Sequence, residues 1–460
     1  MDPERVIEQP APAGPTPLRV APSPAGGPQE PRAFRPRRVL AVDLETGAVE
    51  YPDPDRRPEH PDARVLVRWL GEQVDVVEVT APDAEVAAAA ADAVWASSRA
   101  EVLAVAERIG VPAPTSAEDL LVARPDAPSA AGLPPHRPLV TVTIASLRNV
   151  EPTIACVRRI LTSSWEPLEV VVVDNDANGE PLRTAVEAAF GDDERVRWVH
   201  EPRQGLSFAR NAGLEAARGE IVVFTDDDVL VDHRWLERLV AAFDATEGVA
   251  CVTGAILPAE QETQAQVFLE EYGGFHKGFQ RQVFNLTTHR RDTPLYPYDS
   301  GQFGSGANMA FRREALRQMG AFPLDLGAGT VAHGGEDLDV LRRAITAGHT
   351  VVYEPAALMW HYHRRSMEAL RKQMYRYGVG LSATVTKWLL EDRAVAIEVL
   401  RRIPRGVLHV ARPGSAKNSG KSAEFPTVLT LLELLGVLYG PIAYLRSRRR
   451  TPQRVAAGTR

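Results

Sequence analysis

From Pro138 onward, short β-branched apolar runs alternate with amphipathic stretches. Leu139-Val140-Thr141-Val142-Thr143-Ile144-Ala145 predicts a strand, and Thr153 to Ser163 predicts a helix. Leu168-Glu169-Val170-Val171-Val172-Val173 predicts a second strand, with the near-continuous apolar run that a parallel sheet requires. Pro181 to Phe190 reads as helix, Val196-Arg197-Trp198-Val199 as strand, and Gly205 to Arg218 as a helix stopped by Gly219. Ile221-Val222-Val223-Phe224 is a fourth strand, short and flanked by turn formers. This order predicts a doubly wound, mostly parallel α/β domain over residues 138–390.

The pattern differs on either side. Residues 1–33 carry nine prolines and few bulky apolar residues, a composition that predicts a disordered leader. Over 34–124 the pattern predicts a small α+β domain with three strands, at Arg38–Leu44, Arg64–Leu70 and Gln73–Val79. Gly71-Glu72 marks a hairpin between the last two, and an Ala-rich helix over 82–109 has Asp83 as its N-cap. No catalytic constellation falls in this domain, which reads as a docking or regulatory unit. Residues 125–137, rich in Pro, Ala and Gly, are a linker.

Composition narrows the function. The apolar share of 44% supports an ordinary globular core, and a net charge of −7 argues against general nucleic-acid binding. Cys156 and Cys251, the two cysteines, fall in helix-like and strand-like contexts and read as buried free thiols, which fits a reducing, cytoplasmic compartment. The tail, 391–460, is helical and basic. Within 401–460 twelve Lys/Arg face only Glu424 and Glu433, a net of +10. The apolar run 428–445 is short for a span and is interrupted by Glu433, Gly440 and Pro441, with Arg446, Arg448, Arg449 and Arg450 behind it. It reads as an interfacial segment making peripheral contact with anionic lipid, on the inner face of the plasma membrane, or else as a packing helix with a solvated basic end.

The candidate chemistry gathers at strand ends. Ser146 follows the first strand, Asp174 the second, and Asp226-Asp227-Asp228 the fourth. In open α/β sheets ligands bind at that edge. Asp226 and Asp228 share one side of an extended backbone and suit a hard divalent cation; a solvated loop or helix caps would also explain three acids. Arg203 and Arg210 add positive charge that suits a diphosphate. Further on, Gly301 to Arg313 is a Gly-rich loop running into a strand, and Gly334-Gly335-Glu336-Asp337-Leu338-Asp339 opens a helix ending near Gly348.

Val140 to Ser146, Glu169 to Asn175, Gly205 to Gly213 and Phe224 to Asp228, in that order, resemble the consecutive motifs of GT-A fold family 2 glycosyltransferases. The resemblance covers roughly 138–390 and implies a GT-A-type sheet and a nucleotide-sugar donor. It implies that Ser146, Asp174, Arg203, Arg210 and Asp226 bind the donor. Asp226 and Asp228 would form the DxD element and hold Mg2+ or Mn2+, with His361 completing the metal site. Gly304, Ser305, Gly306, Asn308 and Glu336 would meet a glycan or lipid-linked acceptor, and Asp337 would be the general base of an inverting displacement. Asp339 is a rival base that helical spacing turns away. His363 and Arg364 are alternative phosphate contacts. Gln373-Met374-Tyr375-Arg376-Tyr377 approaches the Gln-x-x-Arg-Trp motif of processive synthases, but Tyr377 replaces Trp, which points to a non-processive enzyme whose Tyr375, Tyr377 and Trp388 pack a C-terminal helix.

Two other classes compete. A sugar-phosphate nucleotidyltransferase would carry a Gly-rich loop after the first strand, where Ser146-Leu147-Arg148-Asn149 has no glycine. A non-catalytic sugar-binding scaffold would not need Asp226, Asp228 and Asp337 intact.

Overall fold

The structure, a computed structural model, describes residues 34–124, 136–391, 393–411, 421–422 and 424–451. The expected leader and all of the expected linker except 136–137 lie outside the described residues.

The N-terminal module is a four-stranded sheet in the order β2-β1-β3-β4, from β1 (Arg38–Asp43), β2 (Val49–Glu50), β3 (Asp62–Trp69) and β4 (Glu72–Thr80). Leu70 and Gly71 both take positive φ, 55° and 73°, as a tight two-residue hairpin turn demands. The single helix expected over 82–109 is in fact two, α1 (Val86–Ser97) and α2 (Arg99–Ile109). The chain breaks at Ser98, whose hydroxyl turns to Asp75 of β4. Asp83 does not cap α1; its carboxylate takes Arg38 and Tyr51 instead. The two helices cover one face of this sheet. From the other face, Val39, Ala41, Leu66 and Val76 enter the same core as Leu257, Ala259, Leu358 and Trp360 of the large module.

The large module runs β5 (Val140–Ser146), α3 (Val150–Leu161), β6 (Leu168–Asp174), α4 (Glu180–Phe190), β7 (Val196–His200), α5 (Leu206–Ala216), β8 (Ile221–Thr225), β9 (Val229–Val231) and α6 (Trp235–Ala242). It continues with β10 (Val249–Pro258), α7 (Gln264–Tyr272), β11 (Gln282–Phe284), β12 (Asn308–Arg312), α8 (Arg313–Gln318), α9 (Glu336–Thr346) and β13 (Thr350–His361). The sheet order is β11-β13-β10-β12-β8-β5-β6-β7, with β9 paired to β13. Six strands (β5, β6, β7, β8, β10 and β13) run one way and β9, β11 and β12 run the other. The expected mostly parallel α/β sheet is therefore present, with β12 inserted antiparallel between β8 and β10. Ser146 lies beside Asp174, and Asp174 beside His200, so the polar strand ends form one edge. Cys156 and Cys251 are buried and free, as the sequence predicts.

Three helices close the chain: α10 (Met367–Glu391), α11 (Arg393–Ala411) and α12 (Thr427–Arg450). Glu433, Gly440 and Pro441 do not interrupt α12. Glu433 is buried and accepts the Tyr272 hydroxyl at 2.7 Å. Gly436 and Gly440 let the backbone close onto α10; a Cβ at Gly436 would stand 2.1 Å from the Tyr375 carbonyl oxygen. Tyr375 stacks on Tyr439 and Tyr377 on Tyr272. Trp388 faces α9 rather than α12, donating its indole N–H to Asp339 at 2.8 Å.

Candidate active site

Asp226 and Asp228 leave the end of β8, and His361 ends β13. All three are partly exposed, and one ligand atom from each lies within 4.8 Å of the others, a group that could hold a metal ion. His361 Nε2 stands 3.2 Å from Asp228 Oδ1. Burial disfavours both charges, but the pairing prevails: the Asp228 carboxyl is held below its ordinary value and the His361 imidazole above its own. Burial raises Asp226, against the opposing pull of Arg210. Asp227 points elsewhere and accepts the Asn149 amide at 3.0 Å; burial pushes its carboxyl up to about 6.

Arg210 connects this group to the start of α9. Its guanidinium lies 3.6 Å from Asp226, donates to Glu336 at 2.7 Å and to the Gly306 carbonyl at 2.9 Å, and sits over the Phe322 ring. Gly306 N–H in turn donates to Asp337 Oδ2 at 3.0 Å, while Asp337 Oδ1 takes the Leu338 N–H at 2.8 Å. The Asp337 carboxylate is thus fixed at a helix N-terminus and remains partly open. Asp339 faces away as expected, fully buried among Arg343, Lys387 and Trp388.

Several residues singled out in the sequence have their polar atoms engaged inside the protein. Ser146 is buried, its hydroxyl 2.8 Å from that of Thr153. Asn308 is fully buried, bonded to the Trp235 indole and to the carbonyls of Ala255 and Ala357, so it braces strands rather than facing an acceptor. Glu336 is buried against Arg210 instead of open space; burial and the Asp337 charge push its carboxyl up to about 7. Gly304, at φ 143°, is needed because a Cβ there would meet Thr253. Of the acceptor set expected from 304 to 308, Ser305 alone keeps partial exposure. Arg203 is exposed and forms a fork with Glu201. Asp174 is buried; one oxygen takes the Asp176 N–H at 3.0 Å, and the Trp198 indole also bonds the carboxylate. Burial raises its carboxyl.

Three residues gain significance that the sequence did not reveal. Asn175 bonds the carbonyls of Glu201 and Arg203 and the N–H of Gly205, shaping the loop that leads into α5. Asn149 holds Asp227 away from the other acids; its position after the first strand was the only available signal. Tyr377 is near enough for the Asp337 and Asp226 charges to assist burial in raising its hydroxyl to about 12.

His363 is not a phosphate contact: it is buried and faces Glu270 at 2.9 Å, while Glu270 also takes Arg64 of β3 at 3.2 Å. Burial alone would raise Glu270, but His363 and Arg64 outweigh it and hold the carboxyl at about 2. A folded pKa below the unfolded one contributes stability above pH 4.5 that is lost as pH falls toward 2, on the order of 3 kcal/mol. Glu270→Gln is therefore expected to lower stability at pH 7 and to flatten the acid limb, which urea unfolding across that pH range would measure. An acid limb parallel to that of the unmodified chain would contradict this account.

Comparison with known proteins bears on the same region. The family described as "Glycosyltransferase like family 2" matches residues 135–380. A pre-mycofactocin glycosyltransferase of Mycobacterium tuberculosis is 32% identical over 261 residues, 56% of this chain and 49% of that protein. The succinoglycan biosynthesis protein ExoM of Rhizobium meliloti is 30% identical over 219 residues, 46% of this chain and 63% of that protein. The chain thus spans about half the length of the first relative and under two thirds of the second. A mannosyltransferase from Pyrobaculum calidifontis, solved with GDP-Man and Mn2+, shares 19% identity at a TM-score of 0.44, covering 79% of this chain and 97% of that one.

Proposed function

The chain belongs to glycosyltransferase family 2, and from that premise we propose that it transfers a hexosyl or related sugar from a nucleoside diphosphate donor to an acceptor hydroxyl, with inversion. One observation carries the reading: the Asp226, Asp228 and His361 ligand atoms lie within 4.8 Å of one another and connect through Arg210 and Gly306 to Asp337. Two carboxylates and an imidazole suit a divalent ion such as Mn2+ or Mg2+. Two acids in a half-buried cleft also favour a cation between them. Asp226, Asp228 and His361 would hold that ion, and the chemistry it supplies is charge neutralisation on the departing diphosphate.

The remaining work falls to the chain itself. Asp337 accepts the hydroxyl proton while the acceptor oxygen bonds to the anomeric carbon. The bond from that carbon to the diphosphate oxygen breaks, and its electron pair leaves with the diphosphate. Asp174, at the strand-end edge beside Ser146, receives an N–H or O–H of the nucleoside. Arg210 steadies both ends of the site from within, and Ser305 meets the acceptor.

The acceptor is a glycan or a lipid-linked sugar, and the chain works at the cytoplasmic face of a membrane. A relative in succinoglycan biosynthesis supports glycan assembly as the setting. Of fifteen exposed large apolar side chains among the described residues, twelve fall between Leu390 and Leu445, which supports docking on lipid. Six of these (Val428, Leu431, Leu435, Leu438, Ile442 and Leu445) follow helical spacing along α12, opposite the stripe that packs on α10. Arg448, Arg449 and Arg450 at its end suit anionic headgroups. Leu435→Glu with Leu438→Glu and Ile442→Glu is expected to abolish co-sedimentation with phosphatidylglycerol vesicles and leave the fold intact. Undiminished co-sedimentation would refute the docking surface.

The test of the reaction is product analysis with UDP-, GDP- and dTDP-sugars, Mn2+ and lipid-linked or glycan acceptors. Acceptor-dependent release of a nucleoside diphosphate is expected. Formation of a nucleotide sugar from a sugar phosphate would point to a nucleotidyltransferase, and no turnover with any donor would point to a scaffold.

A further inference from the structure

We infer that the N-terminal module is a clamp that sets the position of His361. The inference rests on the metal reading of Asp226, Asp228 and His361 proposed above.

The chain leaves β13 through His361, Tyr362, His363 and Arg364. Both residues after His361 are tied to the N-terminal module. Tyr362 donates its hydroxyl to Asp53 at 2.9 Å, and the Arg56 guanidinium lies over its ring. His363 is held through Glu270 by Arg64, a buried three-residue network across the two modules. The His361 and His363 rings are 5.5 Å apart, with Phe275 packed 6.0 Å from one and 5.6 Å from the other. A shift of His363 is therefore transmitted to His361 by backbone and by ring contact.

Adhesion does not require this network. The apolar face of Val39, Ala41, Leu66 and Val76 already joins the modules. Breaking one member of such a set costs stability, but replacing all its buried ions with apolar groups is often neutral or stabilising, so strength alone does not call for an Arg–Glu–His set. It is directional, however, and metal ligands are sensitive to the partners that orient them. Tyr362 and His363 meet separate parts of the module, Asp53 with Arg56 and Arg64 through Glu270, so the module grips the same short segment at two points.

The test is Mn2+ titration by calorimetry on the full chain, with thermal unfolding alongside. Arg64→Met is expected to weaken Mn2+ binding about tenfold or more, with partial recovery in Arg64→Lys. The sign is diagnostic. Removing a nearby positive charge would by itself tighten cation binding, whereas losing a positioning contact weakens it. Tyr362→Phe keeps the ring and removes one hydrogen bond; at least about threefold weakening is expected. It decides the matter alone if Arg64→Met does not fold. His361→Ala separates the two levels of the account. If it binds Mn2+ as the unmodified chain does, the metal reading fails. If it loses Mn2+ while Arg64→Met and Tyr362→Phe bind unchanged or more tightly, the metal reading stands and the clamp is overturned.

Discussion

Asp337→Asn should lower kcat by about 10²- to 10⁴-fold while leaving metal-dependent nucleotide binding near that of the unmodified chain. Asparagine keeps the size of the side chain and one acceptor oxygen for the Gly306 N–H, giving up only the contact to the adjacent Leu338 N–H, so the loop before β12 keeps its tie. What it loses is the ability to take a proton. The two neighbouring acids cannot substitute. Asp339 is fully buried in a cationic pocket, and Glu336 is buried against Arg210. Steady-state kinetics with donor and acceptor, paired with calorimetry on the nucleotide, separates the two effects. Full activity in Asp337→Asn would remove it as the base.

The second large effect is expected at Asp228. Asp228→Ala should weaken Mn2+ binding by more than about 100-fold, since even partners one step behind a ligand are worth up to that factor. It removes a carboxylate and also leaves His361 without its 3.2 Å partner. Asp227→Asn supplies the contrast. That side chain bonds Asn149 and lies outside the ligand group, so Mn2+ affinity should stay within about threefold, the scale of one hydrogen bond. Equal losses in the two variants would mean that the acids act as a diffuse charge and not as ligands.

Much of the fold was legible because local pattern and tertiary role agree in it. Leu168–Asp174 is buried at every position, which is what its continuous apolar run implies. The polar strand ends then fall on one edge because β8, β5, β6 and β7 are parallel neighbours. The illegible parts depend on partners distant in the chain. Ser98-Arg99-Ala100-Glu101 has the spacing of a helix start, but an Ala-rich run on both sides masks it, and the partner that turns the Ser98 hydroxyl aside, Asp75, lies on β4. Glu433 looks like an interruption of an apolar run until Tyr272 meets it.

The site divides along the same line. Asp226, Asp228 and Asp337 lie at strand and helix ends that the sequence locates, whereas His361 ends β13, a strand the local pattern did not mark. Ser146, Asn308 and Glu336 belong to the same stretches, but Thr153, Trp235 and Arg210 turn them inward. A polar residue in a motif thus indicates proximity to the site, while its burial determines whether it supports the site or faces the substrate. His363 is the clearest case. It alternates with His361 along an extended segment, yet Glu270 and Arg64, more than ninety residues away in the chain, draw it into the interface between modules.

The most direct test of the central claim is a thermal-shift titration of nucleotide sugars in the presence and absence of Mn2+. A donor bound only to the folded chain raises the melting temperature by mass action. The account predicts that one class of nucleoside diphosphate sugar stabilises the chain in Mn2+, and that the shift disappears with chelator and in Asp228→Ala. A shift that survives both, or no metal-dependent shift with any donor, would contradict it.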